Sequence, residues 1–128
     1  GLNEQYFGSW EGLVVDTLRE HPEFKQLIKD PANYKAQVNG GETFEQLGER
    51  AMKALQDIIK IHDQGNILIV SHGHTLRLLL ALLNGATWQN HRDEDKSVSL
   101  INTSISVVHY DDENGFRVEK INDADHLK

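Results

Sequence analysis

The stretch Ser71-His72-Gly73-His74-Thr75 sets two imidazoles around one glycine, between the apolar runs Ile67 to Val70 and Leu76 to Leu83. Imidazole can hydrogen-bond a phosphoryl group or ligate a metal, and glycine lets a bound group come close to the backbone. Thr75 is placed to cap a helix or to donate its hydroxyl. If a helix begins here, its first unpaired N–H groups favour an anion. Two other readings use the same residues. His72 and His74 could be polar side chains satisfied by carbonyls in a tight turn, or a pair of metal ligands. A catalytic zinc site usually needs a third protein ligand, and no HExxH pattern or clustered Asp and His set accompanies these two.

A second chemistry-bearing group is Glu4, beside Tyr6, Phe7 and Trp10. A carboxylate among aromatics is expected to be partly desolvated, with the raised pKa that suits a general acid; the alternative is an exposed loop glutamate. Glu11 and Glu42 share that ambiguity, and Glu42 also lies near a helix start, where acids are favoured electrostatically. Arg50 and Arg77 are expected as salt-bridge partners rather than ligands. His21, His62, His91, His109 and His126 stand isolated along the chain and receive no role.

The elements that must position these groups follow from pattern. Gly1 to Gly12, with three glycines and three aromatics, has no clean period and is expected to be a structured loop. Leu13 to Glu20 suits a short helix, and Pro22 the first turn of another carrying Phe24, Leu27 and Ile28. Pro31 ends it, and Asn39-Gly40-Gly41 is a break. Thr43 with Gln46 matches a capping box, and Phe44, Leu47, Ala51, Leu55, Ile58 and Ile59 form one apolar stripe on a helix to about His62. Ile67 to Val70 reads as a strand covered on both faces in a parallel sheet. Leu76 to Leu83 reads as a buried helix stopped by Gly85. Gln89 to Lys96 is expected to be a solvated loop without chemistry. Ile105 to Tyr110 and Phe116 to Ile121 flank DDENG as a hairpin at one sheet edge. His72 would then lie where a strand's carboxyl end meets a helix amino terminus, the place where open α/β sheets put ligands. The order of elements indicates an α/β layered domain, although three strands are few for so many helices.

Composition bounds the function. The 128 residues, 38% hydrophobic, suit one domain, near the mode of about 100 to 150 residues. Twenty acidic against thirteen basic residues give a net charge of −7, which disfavours nucleic acid as a partner while leaving room for a small anionic substrate. No apolar stretch approaches the ~20 residues of a membrane span, and no basic-then-apolar leader opens the chain. The absence of cysteine excludes disulfides and thiolate chemistry. A soluble, cytoplasmic protein without membrane contact is expected.

Four stretches in order resemble the histidine phosphatase superfamily, also called the phosphoglycerate mutase-like family. LNEQYFGSWEG resembles its glutamate-bearing loop, and GGETFEQLGER its GE(S/T) segment and helix. ILIVSHGHTLR resembles the strand and turn of the second catalytic histidine, and INTSISVV with NDADHL its last conserved stretch. The resemblance implies a three-layer α/β/α phosphoglycerate mutase-like fold and a small phosphorylated substrate, with no metal and no cofactor. It implies that His72 stabilises the transferring phosphoryl group, that Gly73 lends a backbone N–H to the same oxygens, and that Glu4 is the proton donor. His74 and Thr75 stand as further phosphate contacts.

The family's nucleophile lies in an Arg-His-Gly motif, and no Arg-His-Gly occurs among these residues. The resemblance therefore implies that residues 1–128 are the carboxyl-terminal part of one such domain, lacking its amino-terminal strand and helices. The chain alone is expected to be inactive, and the intact protein to form a phosphohistidine and pass it to water. A phosphoglycerate mutase returning the group to substrate, and a non-catalytic phosphate-binding module, remain alternatives. A sheet edge left uncovered would favour self-association.

Overall fold

The computed structural model describes residues 1–62 and 64–128. Four α-helices, α1 (Val15–Leu18), α2 (Pro22–Lys29), α3 (Phe44–Ile61) and α4 (Gly73–Leu83), precede a hairpin of β1 (Ile105–Asp111) and β2 (Gly115–Asp123), with single 3-10 turns at Gly8–Trp10 and Asp125–Leu127. α3 starts where the capping box requires: the Thr43 hydroxyl accepts from Gln46 N and the Gln46 side chain accepts from Thr43 N at 2.9 Å. Its stripe Phe44, Leu47, Ala51 and Leu55 is buried. α4 buries Leu78, Leu79, Leu80 and Ala81, which lie on more than one face because the helix is sandwiched between α3 and the hairpin. On one side Leu78 joins Trp10, Leu27, Tyr34, Phe44 and Leu47. On the other, Leu80 and Ala81 meet Val98, Val108 and Ile121.

The hairpin is antiparallel, with Tyr110 opposite Phe116 and Asp111 opposite Gly115. Its turn is held by the Asp111 carboxylate, which accepts from Glu113 N and Asn114 N, and by Gly115 at φ 69°.

Two expectations about the sheet are corrected. The hairpin is the only sheet among the described residues, so it closes no larger one. Ile67 to Val70 is not a covered strand: no backbone hydrogen bond joins it to another described segment, and Leu68 and Val70 are 89% and 84% exposed. Only Ile69 packs inward, against Ala51, Leu55 and Leu79. The apolar run has the composition of a central strand, but no neighbouring strand among these residues supplies the partner that composition anticipates.

Residues 1–12 form an organised loop stitched to residues 39–42. Ser9 N donates to Asn39 O, Asn39 Nδ2 donates to Phe7 O, and Glu42 N donates to Tyr6 O. Gly8 sits at φ 59°, and a Cβ there would fall 1.8 Å from Asn39 O, so this contact requires glycine.

Candidate active site

α4 begins at Gly73, so Gly73, His74 and Thr75 belong to its first turn and His72 is the N-cap residue. His72 has extended backbone, its carbonyl accepts from Leu76 N, and its ring is exposed and makes no hydrogen bond to any described residue. The helix therefore presents first-turn N–H groups that have no partner within the helix, beside an uncommitted imidazole. Two of those N–H groups already hold an anion. His74 N donates to Glu4 Oε2 at 3.1 Å and Thr75 N to Glu4 Oε1 at 3.0 Å. The Thr75 hydroxyl lies 3.2 Å from the same Oε1, and Gln5 N donates to it at 3.0 Å.

Glu4 reaches this position because residues 1–4 run past the start of α4. Ser71 Oγ donates to Leu2 O at 2.6 Å, and Thr75 Oγ1 lies 2.7 Å from Asn3 O. From the other side Arg50 on α3 clamps the strand of loop. It forms a two-pronged ion pair with Glu42 (2.8 and 2.9 Å) and donates to Gly1 O and Asn3 O. Glu42 also accepts from Tyr6 N. The pair holds Glu42 below the usual carboxylate range despite its burial and raises the Arg50 guanidinium. Glu11 closes its own loop by accepting from Phe7 N. Arg50, Glu42 and Glu11 thus position the loop.

The expected raised pKa of Glu4 is corrected. Burial does push it upward, but the N–H groups of Gln5, His74 and Thr75, together with the His74 ring, outweigh burial and leave it lowered. The aromatic neighbours in sequence are not what the carboxylate meets; the helix start is.

The side chains of His74 and Thr75 are engaged inward, and their contribution at the helix start is the backbone N–H. The Thr75 hydroxyl is fully buried. The His74 ring packs edge-on against Phe7 and its Nδ1 lies 3.0 Å from Gln5 Oε1. Gln5 Nε2 donates to Glu42 O, which turns Gln5 Oε1 toward the imidazole, so Nδ1 carries the proton. Burial first, and the charge of Arg92 second, bring His74 down to about 4 against the pull of Glu4, so the ring is neutral at pH 7. Gly73 has room for a methyl group: a Cβ would meet nothing nearer than Glu4 Oε2 at 3.9 Å. Folding alone does not demand glycine there.

Two further expectations are corrected. Arg77 has no carboxylate partner among the described residues; its Nη2 donates to Ser97 Oγ at 2.9 Å. The charged stretch Gln89 to Lys96 is not uniformly solvated. Asp93 to Lys96 are exposed, but His91 is fully buried against Phe44, and Arg92 is half-buried. His91 Nδ1 donates to Trp88 O, which leaves Nε2 to accept from Arg92 Nε at 3.4 Å. The sequence singled out neither Gln5 nor Arg92, and gave His91 no role. Only the Glu4-Gln5 adjacency carried a local signal for any of them. Among the described residues no group of three His, Asp or Glu side chains is arranged to hold a metal ion, and no helix is long and apolar enough to cross a membrane.

Comparison with known proteins gives these geometries a family. Residues 1–124 match the histidine phosphatase superfamily (branch 1). The chain is 30% identical to a metal-independent phosphoserine phosphatase of Arabidopsis thaliana, over 98% of this chain and 50% of that one. It is 32% identical to an adenosylcobalamin/alpha-ribazole phosphatase of Escherichia coli K12, over 73% of this chain and 48% of that one. It is 29% identical to a probable phosphoglycerate mutase of Salmonella newport, over 98% and 59%. The chain thus spans about half the length of the curated relatives it matches. Among solved structures, Bacillus stearothermophilus YhfR superposes with a TM-score of 0.85 at 28% identity, covering 98% of this chain and 60% of that one. The α/β fold is therefore shared with YhfR, and the chain belongs to the histidine phosphatase superfamily, whose members matched here are named as phosphatases and mutases.

Proposed function

We propose that residues 1–128 carry the phosphate-binding half of a histidine phosphatase site acting on a small phosphate monoester. The observation that carries this reading is the carboxylate of Glu4 seated on His74 N and Thr75 N, at 3.1 and 3.0 Å, beside the open ring of His72. A place that holds a carboxylate on helix N–H groups is built for a tetrahedral oxyanion too. On this reading a phosphoryl group takes the first-turn N–H groups, with Gly73 N at the same oxygens, and His72 donates to a further oxygen. Glu4 is displaced. Having lost three donors and gained a neighbouring dianion, its carboxyl rises in pKa and becomes able to carry a proton.

The phosphoryl acceptor is proposed to be a histidine outside residues 1–128. None of the seven histidines stands in an Arg-His-Gly sequence, and the bare apolar run Ile67 to Val70 is suited to pair with a strand that these residues do not provide. That acceptor's nitrogen attacks phosphorus, the P–O ester bond breaks, and the leaving oxygen takes the proton of Glu4. Water then attacks phosphorus, the P–N bond breaks, and the Glu4 carboxylate takes the water's proton. Hydrolysis is preferred to mutase transfer because the relatives at 30% and 32% identity are both named phosphatases.

The test is a titration of the chain with inorganic phosphate, followed through the His72 ring and the His74 and Thr75 amide resonances. All three shift together if the site forms. If they are unmoved at saturating phosphate, the helix start is no anion site and the reading fails.

A further inference from the structure

We infer that Gln5 is a positioning residue for Glu4. Through the ring of His74 it keeps the loop backbone seated on the first turn of α4 when the Glu4 carboxylate leaves. The anion site then opens by a side-chain movement and not by release of the loop. The inference rests on the reading above, in which a phosphoryl group displaces Glu4.

Residues 2–5 run alongside residues 71–75, and the hydrogen bonds between them are of two kinds. Those to the Glu4 carboxylate, from His74 N, Thr75 N and the Thr75 hydroxyl, end when the carboxylate departs. Three others do not depend on it. Ser71 Oγ donates to Leu2 O and Thr75 Oγ1 to Asn3 O, and these hold the chain before Glu4. After Glu4, the one hydrogen bond from residues 5–12 to α4 is the 3.0 Å contact between Gln5 Oε1 and His74 Nδ1. Phe7 adds an edge-on packing contact to the same ring, with the ring centroids 5.3 Å apart.

The Gln5 contact is suited to outlast the change. Gln5 is 1% exposed, so water does not compete for its amide. Its Nε2 donates to Glu42 O at 3.0 Å, just before the Thr43 cap of α3, so one side chain spans the entry of α3 and the start of α4. Turned end for end, the amide would set Oε1 against the Glu42 carbonyl oxygen, two buried acceptors with no proton between them. The polarity is therefore fixed, and the imidazole donates from Nδ1. The charged groups bearing on that ring are Arg92, Glu4 and Arg77, and with burial they leave it neutral at pH 7. An arriving dianion alters that balance, but protonating the ring adds a hydrogen at Nε2 and leaves Nδ1–H on Gln5 Oε1. The Gln5 bond persists in both states of the ring, whereas the Glu4 bonds are given up to the anion.

The experiment uses Glu4→Ala as the undocked state and reads two magnetic resonance signals of the full chain. The nitrogen shifts of the His74 ring report its tautomer, and the nuclear Overhauser contact between the Phe7 and His74 rings reports the seated loop. Wild type and Glu4→Ala are expected to show the Nδ1–H form and the ring contact. Gln5→Leu alone loses the Nδ1–H preference but keeps the ring contact, because docked Glu4 still holds the loop. Glu4→Ala combined with Gln5→Leu loses the contact. Glu4→Ala combined with Gln5→Glu, which returns an acceptor to Nδ1, regains it. A contact of wild-type strength in Glu4→Ala with Gln5→Leu overturns the inference, and so does its equal loss in Gln5→Leu alone, which would make Gln5 a packing residue indifferent to Glu4. A thermal melt establishes that each variant is folded. Should a Gln5 variant not fold, Glu4→Ala decides: both signals retained there support the inference, and loss of either overturns it. Saturating inorganic phosphate then tests the reading beneath. In wild type the His74 and Thr75 amides should shift while both ring signals stay; shifted amides with a lost ring contact overturn the inference. Unmoved amides sink the phosphate reading and leave the result for Gln5 standing, since it comes from variants without phosphate.

Discussion

Glu4→Gln separates the two pictures of this carboxylate most sharply. As a docked anion, Glu4 takes His74 N, Thr75 N and the neighbouring Thr75 hydroxyl at the start of α4. Glutamine keeps the shape but loses the charge and turns an NH2 group toward a backbone N–H. A charge at a partly buried helix terminus is worth up to about 2 kcal/mol, and one charge-assisted hydrogen bond about 1.5 to 3 kcal/mol. Glu4 is only half-buried, so solvent screening reduces this, and a loss of about 2 kcal/mol is expected. For a domain of this size that is a fall in Tm of about 8 °C. The sign with pH is diagnostic. Because the folded pKa of Glu4 is lowered from the ordinary 4.5, its stabilisation is complete above that value and disappears as pH falls through the lower, folded value. Urea denaturation of both proteins between pH 7 and 3 should therefore show a constant gap down to about pH 5 that closes below 4.5. Equal stability at pH 7 would mean that the carboxylate is not seated on α4. A gap that instead swung in favour of wild type with acid would mean a raised pKa, the general-acid state at rest.

Other substitutions probe the parts around it. Gly8→Ala combines a positive φ with a Cβ 1.8 Å from Asn39 O, and should cost about 3 kcal/mol or prevent folding; a melt within a degree of wild type would refute the close approach. Gly73→Ala meets no clash in an ordinary helical position, and should hold or gain about 0.4 to 1 kcal/mol while weakening inorganic phosphate binding. Undiminished phosphate affinity would show that the glycine does not serve the anion. Glu42→Gln removes one side of the Arg50 clamp and the acceptor of Tyr6 N; a loss of about 2 kcal/mol and faster amide exchange in residues 2–6 are expected, and unchanged exchange would show that the clamp does not hold the loop.

What was legible in the sequence was what short-range chemistry decides. The Thr43 to Gln46 capping box, the α3 stripe and the Asp111 to Gly115 turn depend on residues a few positions apart, and they stand in the structure as read. The start of a helix at Gly73 was readable because a strand-like run, a glycine and an apolar run of helix length occur in that order. The sign of the Glu4 shift was not readable, since its donors lie 70 and 71 residues away while its aromatic neighbours in sequence turn elsewhere. Ile67 to Val70 misled for the same reason: composition describes the partner a segment is suited to, and pairing is non-local. His91 and Arg92 were hidden within a charged run, where no periodicity distinguishes an inward residue from an exposed one.

The docked carboxylate makes a physical argument about phosphate binding. A phosphate entering at α4 must displace a carboxylate already bonded to the same N–H groups, so part of its binding energy, about 2 kcal/mol, goes to undocking Glu4. In Glu4→Gln the competitor is uncharged and binds less well, so inorganic phosphate should bind more tightly than it does to wild type. Equal or weaker binding would mean that Glu4 and the anion do not share these donors.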